Sequence, residues 1–243
     1  MISKAKAKLI KSLQVKKYRK QEQSFLVEGK KGVEELLRSD FEIKTICGTK
    51  SFLDSHELTG IEVIETTQPE LEAIGSVESN DSVLAIARIK ENSRPSIGPG
   101  EYGIVLDDIR DPGNLGTIIR TADWYGIRHI IASEETADFY NPKVIRSTMG
   151  SFCRVNVFYT PLADFLKGSD MAVYGAFLGG GDVHQLKFAP GGLIVVGNES
   201  NGISNDVARF VTQKITIPKY GQAESLNASI ATGIILDNLK RQP

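Results

Sequence analysis

Three short polar stretches hold the residue types that chemistry needs. The first is Asp111-Pro112-Gly113-Asn114-Leu115-Gly116-Thr117-Ile118-Ile119-Arg120. Gly113 and Gly116 allow a tight turn and close approach of backbone to a ligand. Asn114 can cap a helix, and Arg120 supplies a permanent cation. The second is Gly197-Asn198-Glu199-Ser200-Asn201-Gly202, where an apolar run ends in glycine, a carboxylate and another glycine, as in a ligand-contacting turn. The third spans residues 215–238. Ile215 and Ile217 open it as a strand, Pro218 breaks it, and a polar loop with Gly221 leads to a helix with Leu226, Ile230 and Ile234 at i, i+4 and i+8. A strand, an exposed polar turn and an amphipathic helix set backbone donors beside a hydrophobic floor, which suits a nucleotide-like ligand. Lys143 and Arg146 form a basic pair at i, i+3 on another helix. Each feature taken singly also fits a capped helix, an ordinary turn or a solvated surface. Arg120 lies about 240° round an ideal helix from Asn114, so the two meet only if Asn114 sits in the turn before the helix.

Other chemistries lack support. His56, His129 and His184 are scattered, and Cys47 and Cys153 form no CxxC pair, so no metal site is expected and the chain reads as reduced and cytoplasmic. Gly98, Gly100 and Gly103 match G-x-G-x-x-G, but they precede a strand, whereas a dinucleotide fingerprint follows one. No apolar run approaches the ~20 residues of a membrane span, and no secretory signal is expected. Net charge is −1, yet residues 1–20 hold eight basic residues and no acid. Lys16, Lys17, Arg19 and Lys20 close this basic arm, which suits phosphate contacts or a solvated helix face.

The elements that must position these residues fall into two groups. Residues 1–92 read as a small α/β domain: a basic helix, a strand at 24–28, a helix at 30–38, strands at 42–47 and 61–64, a helix at 68–74 and a strand at 82–89. Residues 93–102, rich in Pro and Gly, read as an interdomain linker. From residue 103 to 243, strands at 104–109, 129–133, 171–177, 192–197 and 215–217 alternate with helices. Such alternation predicts an α/β domain with a mostly parallel sheet covered on both faces. Ligands on such sheets sit beyond the carboxyl ends of the strands, which directs attention to the loops after Ile109, Val196 and Ile217.

In this order, N-x-G-x-x-x-R-x-A at 114–122, G-N-E-x-x-G at 197–202 and I-P-x-x-G-x-x-x-S-L-N-x-S at 217–229 resemble the three motifs of the SpoU/TrmH class of RNA ribose 2'-O-methyltransferases. The first unit, with FLVEG at 25–29 followed by KGVEELL, is similar to the ribosomal-protein-like RNA-recognition domain that precedes many members. The resemblance implies a deep trefoil knot in the carboxy-terminal segment, an exception to the usual rule against knots. It also implies S-adenosylmethionine as cofactor, RNA as substrate and a homodimer with the site at the subunit interface. Carried over by position, Gly197, Asn198, Gly202, Ile217 and Leu226 form the cofactor set, and Asn114, Arg120, Glu199, Ser225 and Asn227 the catalytic set. Lys219 and Ala228 stand where Met and Val are frequent.

The resemblance gives the residues these expected roles. Arg120 binds the phosphate beside the target ribose and stabilises developing oxyanion charge, since a guanidinium holds its proton too tightly to act as a base. Asn114 orients Arg120 or the ribose, Glu199 fixes the third-motif loop through backbone amides, and Ser225 and Asn227 shape that loop. Lys16, Lys17, Arg19, Lys20, Lys143 and Arg146 are the expected RNA contacts. Ribosomal RNA fits a separate recognition domain better than transfer RNA. A non-catalytic RNA-binding module and a Rossmann-type nucleotide enzyme are the competing readings.

Overall fold

The structure, a computed structural model, describes residues 2–76 and 80–241. Two compact units emerge, each with its own sheet. One takes residues up to Glu91 together with Asp138–Cys153; the other takes Asn92–Ala137 and the chain from Arg154 onward.

The first unit opens with two helices, α1 (Lys4–Ser12) and α2 (Lys16–Glu22). Strand β1 (Ser24–Glu28) and helix α3 (Lys30–Leu37) follow, then β2 (Ile43–Gly48), a short α4 (Lys50–Leu53), β3 (Glu62–Glu65), α5 (Gln68–Ile74) and β4 (Val83–Arg88). The sheet order is β1-β4-β2-β3. Only β2 and β3 are parallel; β4 runs antiparallel to both its neighbours. A reciprocal cap between Thr67 and Glu70 starts α5. Ile10 and Leu13 are fully buried and pack with Leu26, Leu71 and Leu84.

The expected basic arm is therefore part of a core, and one of its cations is not available to RNA. Arg19 is 2% exposed. Its guanidinium donates to the carbonyls of Leu13 and Gln14 and pairs with Asp138 at 2.5 Å. The sequence gives no hint of this, because the partner lies far along the chain.

Asp138 belongs to a segment that the sequence reading placed in the second domain. There, α7 (Pro142–Ser147), capped by Asn141, and a tight turn at Ser151–Cys153 pack with the first unit instead. Aromatic contacts explain the assignment. The Phe25 ring sits 4.7 Å from Tyr140 and 6.1 Å from Phe152, and Phe41 lies 5.9 Å from Phe152. Such pairs add ~0.5–1.5 kcal/mol each beyond area burial. Burial pushes the Tyr140 phenol up to about 12, and its oxygen accepts from the Lys90 amide. Cys47 is buried as well, and that burial pushes its thiol up to about 11; it is packing, not a nucleophile.

In the second unit the stretch expected as an interdomain linker, and Asn92 just before it, make side-chain contacts. The Asn92 side chain bonds both backbone groups of Tyr159, and Arg94 stacks on the Phe165 ring at 5.0 Å. The elements are β5 (Tyr102–Asp107), α6 (Pro112–Trp124), β6 (His129–Ala132), β7 (Asn156–Tyr159), α8 (Leu162–Lys167), β8 (Val173–Asp182), β9 (Gly192–Gly197), α9 (Asn205–Ala208), β10 (Gln213–Thr216) and α10 (Ala228–Lys240). The six strands run in the order β10-β8-β9-β5-β6-β7, and every pair is parallel. The central strands β5 and β9 are almost wholly buried, as a sheet covered on both faces requires. Among the described residues no helix is long and apolar enough to cross a membrane.

The last helix departs from expectation. Leu226 precedes α10, and Ile230 is 54% exposed. The buried face is Ala228, Ser229, Thr232, Ile235, Leu236 and Leu239, packed mainly on α6. The predicted stripe of Leu226, Ile230 and Ile234 is thus not the face that enters this chain's own core.

Arg19→Met should lower the stability of the protein by on the order of 3 kcal/mol, because it leaves Asp138 without its partner. Lys20→Met, on the exposed side of α2, should change it little. Denaturant unfolding measures both.

Candidate active site

The sheet order marks the site. From β5 the chain turns toward β6 and β7, whereas from β9 it turns toward the edge that carries β8 and β10. The connections diverge beyond the carboxyl ends of these two central strands, which is where parallel sheets open a crevice. Two of the three polar stretches start there.

Strand β5 ends in Asp107, which is buried and accepts from the Ser204 amide at 2.7 Å. The next residue, Asp108, has φ +64°, and its carbonyl accepts from Asn198 Nδ2 at 2.8 Å. Neither acid stands in the three polar stretches. They tie the turn after β9 to the end of β5. Asn198 completes the turn: its Oδ1 accepts from the amides of Ser200 and Asn201, and its backbone exchanges two bonds with Gly202. Gly197 has a steric reason. A Cβ there would lie 2.2 Å from the Gly202 carbonyl carbon. Gly202 has a conformational one, with φ +67°.

Helix α6 begins with Asp111 as its cap, accepting from the Asn114 amide at 2.8 Å, and Pro112 in its first turn. Asn114 therefore lies inside the helix, and its side chain is free for other work. Its Nδ2 donates to Glu199 Oε1 at 2.5 Å, and its Oδ1 accepts from Asn227 Nδ2 at 2.8 Å. Asn227 in turn caps α10: its Oδ1 accepts from the amides of Ser229 and Ile230 and from the Ser229 hydroxyl. One directed chain of side chains, Asn227 to Asn114 to Glu199, thus joins all three polar stretches. A hydrogen bond to a charged group contributes ~1.5–3 kcal/mol.

Other expected site residues behave differently. Glu199 accepts from an asparagine side chain and not from amides of the third stretch. Arg120 is exposed and has no hydrogen bond or ion pair among the described residues, so Asn114 does not orient it. Ser225 and the rest of residues 219–227 are exposed, Ile217 is half-buried, and Leu226 is an exposed apolar side chain. Lys16, Lys17 and Lys20 are exposed on α2, as are Lys143 and Arg146 on α7.

Known proteins resemble this chain in sequence and fold. Residues 101–237 match the model of the SpoU rRNA Methylase family. The chain belongs to that family. Residues 4–85 match the MRM3-like substrate binding domain. A Bacillus subtilis relative named 23S rRNA (guanosine(2553)-2'-O)-methyltransferase RlmP is 32% identical over 97% of this chain and 96% of its own. Among solved structures, a putative RNA methyltransferase of the TrmH family from Porphyromonas gingivalis superposes with TM-score 0.90 at 33% identity, covering all of both chains. An AdoMet-bound rRNA methyltransferase from Sinorhizobium meliloti superposes with TM-score 0.87 at 31% identity, covering 99% of this chain and 96% of the other. Within this SpoU member, the Asn227–Asn114–Glu199 chain is the geometric core of the three motifs.

Asn114→Asp places a second carboxylate against Glu199. Like charges raise the folded-state pKa of one partner above its unfolded value. The variant should therefore be destabilised relative to the wild type at pH 8 by a few kcal/mol, with the deficit shrinking as pH falls toward 5. Thermal unfolding of both proteins across pH checks the sign; a deficit independent of pH would show that the introduced carboxylate does not face Glu199.

Proposed function

We propose that this protein transfers a methyl group from S-adenosylmethionine to a ribose 2'-OH of ribosomal RNA, in a cytoplasmic setting. The observation that carries the reading is the Asn227–Asn114–Glu199 chain at the carboxyl ends of β5 and β9, in a chain of the SpoU rRNA Methylase family. The similarity over nearly the full chain to a relative named as a 23S rRNA 2'-O-methyltransferase supports ribosomal over transfer RNA.

The residues present fit the cofactor. Residues 219–227 are exposed, and Leu226 offers an apolar surface that no core covers. Gly197 and Gly202 keep the facing turn thin. Gly197, Asn198, Gly202, Ile217 and Leu226 would hold the group. When bound it supplies an electrophilic methyl on a sulfonium.

The chain's own residues do the rest. Asn114 and Asn227 hold the loops on either side of the crevice at fixed separation, and Glu199 anchors them. Ser225 lines the loop that Asn227 closes. Arg120, unpaired among the described residues, binds the phosphate beside the target ribose and stabilises charge growing on its 2'-oxygen. It does not take the proton, which passes to phosphate or water. Positioning contributes part of the ~7–11 kcal/mol available to well-aligned reactants.

The reading includes a homodimer. Trp124 at the end of α6 is 84% exposed, and Ile230 and Leu226 stand uncovered at the start of α10. These two helices pack on each other, and a second copy docked along them would cover exposed apolar side chains of both. The knot of the third motif remains part of the proposal; its support is the return of the chain from edge strand β10 to pack α10 on α6.

Arg120→Ala should lower kcat/KM for RNA methylation by about 10²–10³, while S-adenosylmethionine affinity by calorimetry holds. Arg120→Lys should stay close to Ala if the forked geometry matters. Full activity in Arg120→Ala would remove the residue from the mechanism.

Ile230→Glu should convert a dimer to a monomer in sedimentation and abolish methyl transfer. A wild type that sediments as a monomer would overturn the dimer.

A further inference from the structure

The first unit holds a cavity of about 220 Å³ between the start of α3 and the end of α7. Val27, Ile145 and Met149 give it apolar walls, and Lys30, Lys31 and Arg146 stand around it. Its volume is below the roughly 300–1,000 Å³ of sites for drug-sized ligands. That suits a single ring system and is too small for a whole nucleotide cofactor.

The charges round the cavity are mostly uncommitted. Lys31 and Arg146 are exposed and have no side-chain partner among the described residues. Lys30 reaches Glu34 only at 3.9 Å. The acid in the lining, Glu28, is turned to Ser76, accepting from its amide and its hydroxyl. The glycine that precedes α3, Gly29 at φ +88°, offers no side-chain cap, and the first turn of α3 has no acid. The lining therefore carries three cations, Lys30, Lys31 and Arg146, against one acid, Glu28.

The apolar side is held in place at a cost. Met149 adopts φ +52°, a left-handed conformation that side chains rarely take. Gly150 follows at φ +100°, and a Cβ there would lie 2.5 Å from Glu35 Cγ. Glu35 packs close against Gly150, and Met149 is 43% exposed beside the cavity. Strained positions of this kind persist only where the surroundings over-determine them.

We infer that this cavity takes one unstacked base of the RNA substrate against Met149, Val27 and Ile145, with the flanking backbone phosphates on Lys31 and Arg146. Specific RNA recognition commonly targets such splayed-out bases in loops and bulges. A thioether is a soft, polarizable surface for a ring, and two cations at the rim match the charge that accompanies every base. The inference rests on the RNA reading given above, and it separates Arg146 from Lys143: only Arg146 borders the cavity.

The test uses the full-length protein and protein-free large-subunit ribosomal RNA, with binding measured over a series of salt concentrations. The double variant Lys31→Ala/Arg146→Ala should flatten the slope of log K against log salt by about 1.4, at ~0.7 for each single-strand phosphate contact. Met149→Gly relieves the backbone strain, so its fold is secure. It should weaken binding roughly three- to tenfold with the salt slope unchanged. Calorimetric affinity for S-adenosylmethionine should be unaltered in both. Unchanged RNA affinity in Met149→Gly, or an unchanged slope in the double variant, overturns the pocket while wild-type methylation leaves the parent reading intact. Absence of both RNA binding and methyl transfer in the wild type overturns the two together.

Discussion

The Asn114 side chain is the constraint on which the site depends. An amide offers a donor and an acceptor at fixed separation, and here both are used. Its nitrogen donates to Glu199 in the turn after β9, and its oxygen accepts from the Asn227 side chain at the start of α10. A carboxylate of the same reach has no donor to offer Glu199 and could not serve both partners. The chain has one direction, from the cap of α10 through α6 to a carboxylate. Because Asn227 also satisfies the orphan amides of α10, loosening this bond would loosen the helix that closes the site.

A parallel sheet makes this economical. The strands β5 and β9 are neighbours in space but far apart in sequence, and their following loops leave in opposite directions. Asp107 and Asp108 lock those loops together from below through Ser204 and Asn198. The glycines at 197 and 202 let the turn fold back on itself. Residues 219–227 then face solvent with little packing of their own, which is what a surface waiting for a ligand or a second copy looks like.

Much of this was legible from local pattern. Apolar runs bounded by glycine and polar residues gave the central strands, and the order of the three polar stretches identified the family to which the chain belongs. What local pattern could not reveal was long-range. Arg19 looked like a surface cation among lysines until Asp138 was placed against it. The segment around α7 looked like part of the second domain because its helix pattern is continuous with the alternation there. Its partners Phe25 and Phe41 lie more than a hundred residues earlier. Periodicity found the apolar stripe through Leu226 and Ile230, but an apolar stripe says only that something covers it. This chain's own core covers the neighbouring face instead.

The central claim is that this crevice methylates a ribose 2'-OH in ribosomal RNA. The most direct measurement is a map of 2'-O-methylated nucleotides in ribosomal RNA from cells with and without the gene, repeated after adding purified protein and S-adenosylmethionine to the unmodified RNA. The account predicts that a ribose methylation is lost with the gene and restored at the same nucleotide by the protein. A ribose methylation map identical in the two cell populations, with no transfer to the RNA in vitro, would contradict it.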